Sequence, residues 1–156
     1  MKQRVYIDTS VIGGCFDREF AAWSNRLFLD FKAGTRIAVV SDVTLDELSE
    51  APMKVQKVFY ELPESSVEFR FCDNECRMLA DKYIQDNAVS ARFFEDALHI
   101  AIASVYRVQV LASWNFKHIV NLERIRKYNS VNLKFGYHSL EIRTPREIPG
   151  FSNHDD

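Results

Sequence analysis

Three carboxylates far apart in the chain, Asp8, Glu47 and Asp96, each stand beside an element that an α/β fold carries to one sheet edge. Asp8 ends the strand-like run Val5-Tyr6-Ile7. Glu47 lies a few residues after Arg36-Ile37-Ala38-Val39-Val40, and Asp96 belongs to a helical stretch ahead of Val108-Gln109-Val110-Leu111-Ala112. Gathered in one cleft, such groups repel by roughly 4 kcal/mol per pair at about 4 Å and an effective dielectric near 20. A fold that converges them calls for a proton or a divalent cation. The three are therefore candidates for a metal-dependent catalytic site.

Each acid also has a purely structural explanation. Asp8 begins Asp-Thr-Ser, where a turn-forming Asp bonds its own backbone. Thr9 and Ser10 are equally placed to steady a metal-binding Asp8 and to touch substrate. Thr44-x-x-Glu47 satisfies a capping box, and Asp42 and Asp46 are rival acids in the same segment. Asp96 gains from the dipole at the start of its helix. His99, three residues on, shares a helical face with Asp96 on which both could bind metal, but it reads first as a core histidine or as one that supports a neighbouring acid. Gly13-Gly14 fits neither the dinucleotide nor the phosphate-loop pattern. The three cysteines, Cys15, Cys72 and Cys76, match no zinc spacing and are expected as free thiols in a reducing cytoplasm.

The elements that must position these groups alternate. Strands are expected at Val5–Asp8, Arg36–Val40, Val67–Phe71, Val108–Ala112 and Leu140–Arg143. Helices are expected at Glu19–Lys32, Val43–Glu50, from Pro52 to Leu62, Asn74–Gln85, Ala91–Val105 behind a Ser90 cap, and a short one at Asn121–Tyr128. Strand–helix alternation implies right-handed crossovers and a mainly parallel sheet with helices on both faces. In such sheets ligands bind beyond the carboxyl ends of the strands, near the switch point. Ser113-Trp114-Asn115-Phe116-Lys117-His118 leaves the fourth strand there, with Trp114 and Phe116 read first as core anchors and second as surfaces for a base.

With 156 residues, 47% hydrophobic and 27% charged, the composition is that of one ordinary globular domain spanning 1–150, with a disordered tail at 151–156. No apolar run is long enough to span a bilayer. Residues 1–4 lead straight into a strand, without a signal-peptide pattern. A net charge of −2 argues against a protein that coats nucleic acid. Yet from 117 to 146 seven Lys/Arg face only Glu123 and Glu141, net +5, leaving −7 on the rest. That basic third suits an anionic substrate, with Lys117, Arg124, Arg126 and Lys127 as candidate phosphate contacts.

Taken together, Val5-Tyr6-Ile7-Asp8-Thr9-Ser10-Val11, the Glu47 segment, Glu95-Asp96-Ala97-Leu98-His99-Ile100-Ala101 and Ser113-Trp114-Asn115-Phe116-Lys117-His118-Ile119 resemble the PIN-domain family. The resemblance extends through Asn132–Tyr137 and Ile142–Ile148 and so covers nearly the whole chain. It implies a Rossmann-like three-layer α/β/α sandwich and a metal-dependent ribonuclease using Mg²⁺ or Mn²⁺. It further implies the toxin of a VapBC-type toxin–antitoxin pair, a cytoplasmic homodimer inhibited by a small antitoxin protein. By position the family's acids fall on Asp8, Glu47 and Asp96, with Asn115 where a fourth acid is common. Losing that charge weakens a second cation site first. Two other readings remain: a catalytically silent module that binds RNA or protein, and a phosphohydrolase with Asp8 as nucleophile. Ser10 counts against the latter, since the haloacid dehalogenase pattern places a second Asp there.

Overall fold

Runs of β-branched and aromatic residues build the centre of the molecule, seen in a computed structural model that describes residues 1–151. Strand β1 (Gln3–Ile7) is followed by α1 (Thr9–Gly13) and α2 (Ala21–Ala33). Strand β2 (Arg36–Ser41) leads into α3 (Asp42–Ser49) and α4 (Met53–Tyr60), and β3 (Val67–Arg70) into α5 (Asn74–Gln85). Then come α6 (Phe94–Val105), β4 (Val110–Ala112), α7 (Leu122–Lys134) and β5 (Glu141–Arg143). The sheet order is β3-β2-β1-β4-β5, and every pairing is parallel. Tyr6 faces Val39 on one side and Leu111 on the other.

Val5, Tyr6 and Ile7 are fully buried, each worth about 1.5–3 kcal/mol. Their alternation divides the core. Val5 and Ile7 join Phe28, Phe31 and Leu48 on one face of the sheet, while Tyr6 and Val39 join Leu79, Tyr83, Ile100 and Ile102 on the other. Helices thus cover both faces, giving the expected three-layer α/β/α sandwich.

The chain leaves β1 in one direction for β2 and β3, and returns to the other side for β4 and β5. The switch point therefore lies between the carboxyl ends of β1 and β4. Asp8 follows β1, and Ser113 to Asn115 follow β4.

Several boundaries differ from expectation, each for a local reason. Residues 9–13 form α1, a helix outside the expected set, because the Asp8 side chain accepts from the Ser10 and Val11 amides and caps it. The cap of α3 is Ser41, whose hydroxyl accepts from the Thr44 amide. Glu47 reaches elsewhere, so the capping box of Thr44 and Glu47 is not formed. Residues 91–93 form a 3₁₀ turn ahead of α6, and α7 runs on to Lys134. Gly14 is required by space: an added Cβ would lie 2.5 Å from Ser24 Oγ and 2.7 Å from Trp114 Nε1. In the expected tail, the Phe151 amide donates to Asp30 and its ring lies against Arg36. Residues 152–156 lie outside the described residues.

Candidate active site

Asp8 is only 5% exposed, and neutral groups hold it. Its Oδ1 accepts from the Ser10 hydroxyl at 2.6 Å and amide at 3.1 Å, and its Oδ2 from the Ser113 hydroxyl at 2.6 Å. The same two hydroxyls bind the loop after β4. Ser10 Oγ accepts from the Trp114 amide and Ser113 Oγ from the Asn115 amide, both at 2.9 Å. The ends of β1 and β4 are thereby stitched together around one carboxylate. The only sequence signal for Ser113 is its place as the first polar residue after an apolar strand.

Asp96, in the first turn of α6, accepts from Asn115 Nδ2 at 3.3 Å. The Asn115 carbonyl oxygen accepts from the Lys117 and His118 amides, which fixes the amide group. Burial raises the Asp96 carboxyl to about 6; His99 pulls it down, while Asp8, Glu47 and Glu95 add repulsion. Burial also raises Asp8, against the pull of His99, Ser10 and Ser113 and with a push from Glu47. The three candidate acids therefore share one electrostatic environment.

Glu47 is engaged differently. Its Oε1 accepts from Thr9 Oγ1 at 2.8 Å, and both oxygens lie 3.1 Å from His99 Nε2. Burial pushes Glu47 up, but His99 and Thr9 outweigh it and leave its pKa lowered. His99 Nδ1 meets the Tyr6 hydroxyl at 2.7 Å, and that hydroxyl lies 2.7 Å from Ser41 Oγ. Burial disfavours a charged imidazole here, yet Tyr6, Glu47 and Asp8 overcome it and hold the His99 pKa well above its ordinary value. With both ring nitrogens facing oxygen atoms, His99 is suited to be an imidazolium.

His99, its pKa held well above the ordinary value, lowers the pKa of Asp8, Glu47 and Asp96 and so works against their mutual repulsion. No group of three or more His, Cys, Asp or Glu among the described residues is arranged to hold a metal ion. The acids are close enough to perturb one another but do not close a protein cage. The rival acids lie aside: Asp42 accepts from the Cys72 amide, and Asp46 is exposed. A groove of about 550 Å³ beside Glu47 is walled by Asp42, Asp46, Glu50 and Glu95 with Arg77.

Of the candidate substrate contacts, Thr9 and Ser10 turn to Glu47 and Asp8. Arg124 donates to the Ala88 carbonyl at 3.0 Å, and Lys117 is exposed next to Asn115. All three cysteines are free and buried. No described helix is long and apolar enough to cross a membrane.

No protein-family model matches the sequence, and no curated protein matches it at a significant level. Solved structures do match. VapBC2 from Rickettsia felis, bound to a DNA fragment from their promoter, aligns with a TM-score of 0.56 at 14% identity, over 91% of this chain and 98% of that one. VapC20 from Mycobacterium tuberculosis, a Sarcin-Ricin loop cleaving toxin, gives 0.56 at 12% identity, over 73% and 92%. FitAcB from Neisseria gonorrhoeae gives 0.53 at 13% identity, over 92% and 99%. With its all-parallel five-stranded sheet between two helical layers, the chain has the PIN-domain fold of these structures.

Proposed function

We propose that this protein is a metal-dependent endoribonuclease, the toxin of a VapBC-type pair. The observation that carries the reading is the pair Asp8 and Asp96 at the switch point of the sheet. Both carboxylates are raised in pKa by burial, and every side chain hydrogen-bonded to them is neutral: Ser10, Ser113 and Asn115. Hard oxygen donors with residual negative charge fit Mg²⁺ or Mn²⁺, which Mg²⁺ sites commonly bind through one or two carboxylates plus water and phosphate. The lack of a three-ligand cage among the described residues is compatible with that mode.

Asp8 and Asp96 would hold the cation, while the oxygens of Glu47, occupied by His99 and Thr9, suit a contact through water. When bound, the cation supplies Lewis-acid activation of water and neutralises phosphoryl charge. Ser10 and Ser113 fix the rotamer of Asp8, and Asn115 orients Asp96. His99 keeps Glu47 ionised and limits the repulsion among the acids. No protein nucleophile is called for. The Rickettsia VapBC2 structure supports a small antitoxin partner, and we extend the reading to a cytoplasmic homodimer.

The test is RNA cleavage by wild type and Asp8→Asn, each purified free of contaminating nuclease, with Mg²⁺ or Mn²⁺ and then EDTA. Cleavage by wild type alone, stopped by EDTA and restored by excess metal, is expected. Equal activity in both proteins would remove Asp8 from the site. A silent RNA- or protein-binding module is the second reading, favoured by the internal charge of His99 and by Asn115 in place of an acid. It predicts binding without turnover under every metal condition.

A further inference from the structure

A second cavity, of about 330 Å³, opens at the Trp114 loop, and its walls are aromatic. Phe20, Trp23, Trp114 and Phe116 line it, with Arg146 and Glu19 among its polar residues. The rings come from α2 with the turn before it, and from the loop after β4. Phe20 stacks on Trp114 with centroids 4.1 Å apart and planes within 12°. Trp114 is buried, and its Nε1 donates to Ser24 at 2.9 Å, so this wall is fixed. Phe116 instead stands 51% exposed, 6.0 Å from Phe20 and 6.2 Å from Trp114. The Arg146 guanidinium lies 4.8 Å above the Trp23 ring.

Position argues for an occupant as strongly as composition does. The Trp114 amide donates to Ser10 Oγ, which itself donates to Asp8. Asn115, between Trp114 and Phe116 in the chain, donates to Asp96. The cavity is thus tied to both acids through single residues. The groove on the Glu47 side is lined by five acids and one arginine, a poor path for an anionic strand. On the aromatic side Arg146 supplies positive charge beside rings, the combination that binds single-stranded nucleic acid. Of the two acids lining the cavity, Glu147 is taken up by the Thr144 amide and hydroxyl, while Glu19 is exposed and able to accept from an exocyclic amine.

We propose that this cavity receives an unpaired base of single-stranded RNA adjoining the phosphodiester held at Asp8 and Asp96. The base stacks on the exposed face of Phe116, and Arg146 takes a neighbouring phosphate. The inference rests on the nuclease reading and adds a substrate subsite to it.

Trp23 and Trp114 are the only two tryptophans of the chain, and both wall the cavity, so intrinsic fluorescence reports its occupancy directly. Wild type in EDTA is titrated with a short oligoadenylate and with an abasic ribose-phosphate oligomer of equal length. Quenching by the first and not by the second is expected. Phe116→Ala should weaken oligoadenylate binding about tenfold, equivalent to about 1.4 kcal/mol. Phe116→Tyr should restore it, and Arg146→Ala should reduce its salt dependence. Equal quenching by the abasic oligomer, or unchanged affinity in Phe116→Ala, overturns the subsite even if the wild type cleaves RNA. A fluorescence change produced by a protein partner and by no oligonucleotide also overturns it. Wild type that neither binds nor cleaves RNA overturns the subsite together with the nuclease reading.

Discussion

Replacing Asp96 by Asn tests the electrostatics of the cleft most directly. Burial, aided by Asp8, Glu47 and Glu95 against the pull of His99, raises this carboxyl from 3.8 to about 6. A carboxyl that holds its proton more tightly in the folded state contributes stability in full below the unfolded value. That contribution is lost as the pH rises through the folded value. At about 1.4 kcal/mol per pH unit the undamped loss is about 3 kcal/mol. Asp96 is only partly buried, so screening by water reduces it to roughly 1–2 kcal/mol. Asparagine mimics the protonated acid and keeps an oxygen for Asn115 Nδ2. In EDTA, Asp96→Asn should therefore exceed wild type by roughly 1–2 kcal/mol above pH ~7, about 2–8 °C in Tm. The advantage should vanish below pH ~4, where both proteins are neutral at this position. Thermal or urea melts across that range read the difference. An advantage independent of pH, or a less stable variant above pH ~7, would refute the argument. Added Mg²⁺ or Mn²⁺ should then stabilise wild type by mass action and leave Asp96→Asn unmoved. Equal stabilisation of both would place the cation elsewhere.

Three further substitutions probe the surroundings. Asn115→Asp replaces a donor to Asp96 with a second carboxylate, so calorimetric titration should show tighter Mg²⁺ or Mn²⁺ binding; no gain argues against Asn115 as part of the site. Gly14→Ala forces a Cβ against Ser24 and the Trp114 indole and should cost about 1–3 kcal/mol in urea denaturation, whereas a neutral outcome means the loop yields freely. Asp30→Asn leaves the Arg36 guanidinium, 4% exposed, without its charge partner; a loss of about 3–5 kcal/mol is expected, and a loss under 1 kcal/mol would show that water reaches the pair.

The amino-acid sequence by itself determined the alternation of elements, because strand and helix periodicities are local properties of the chain. It also determined that Asp8 and Asn115 leave the ends of apolar strands and that Asp96 opens a buried helix, since a polar residue bordering an apolar run marks where the core stops. Tertiary structure alone decided what those groups face. The strand order β3-β2-β1-β4-β5 places the exits of β1 and β4 side by side, and nothing within either strand encodes that neighbour. Glu47 looked like a helix cap because Thr44 lies three residues before it. Packing of α3 on α6 instead gave it His99, 52 residues away. That pairing exchanges a local hydrogen bond for a contact with a buried imidazole, where electrostatic attraction is screened less than at the surface. The aromatic cavity likewise joins residues 20 and 23 to residues 114, 116 and 146, a meeting that exists only once the crossovers have closed over the sheet.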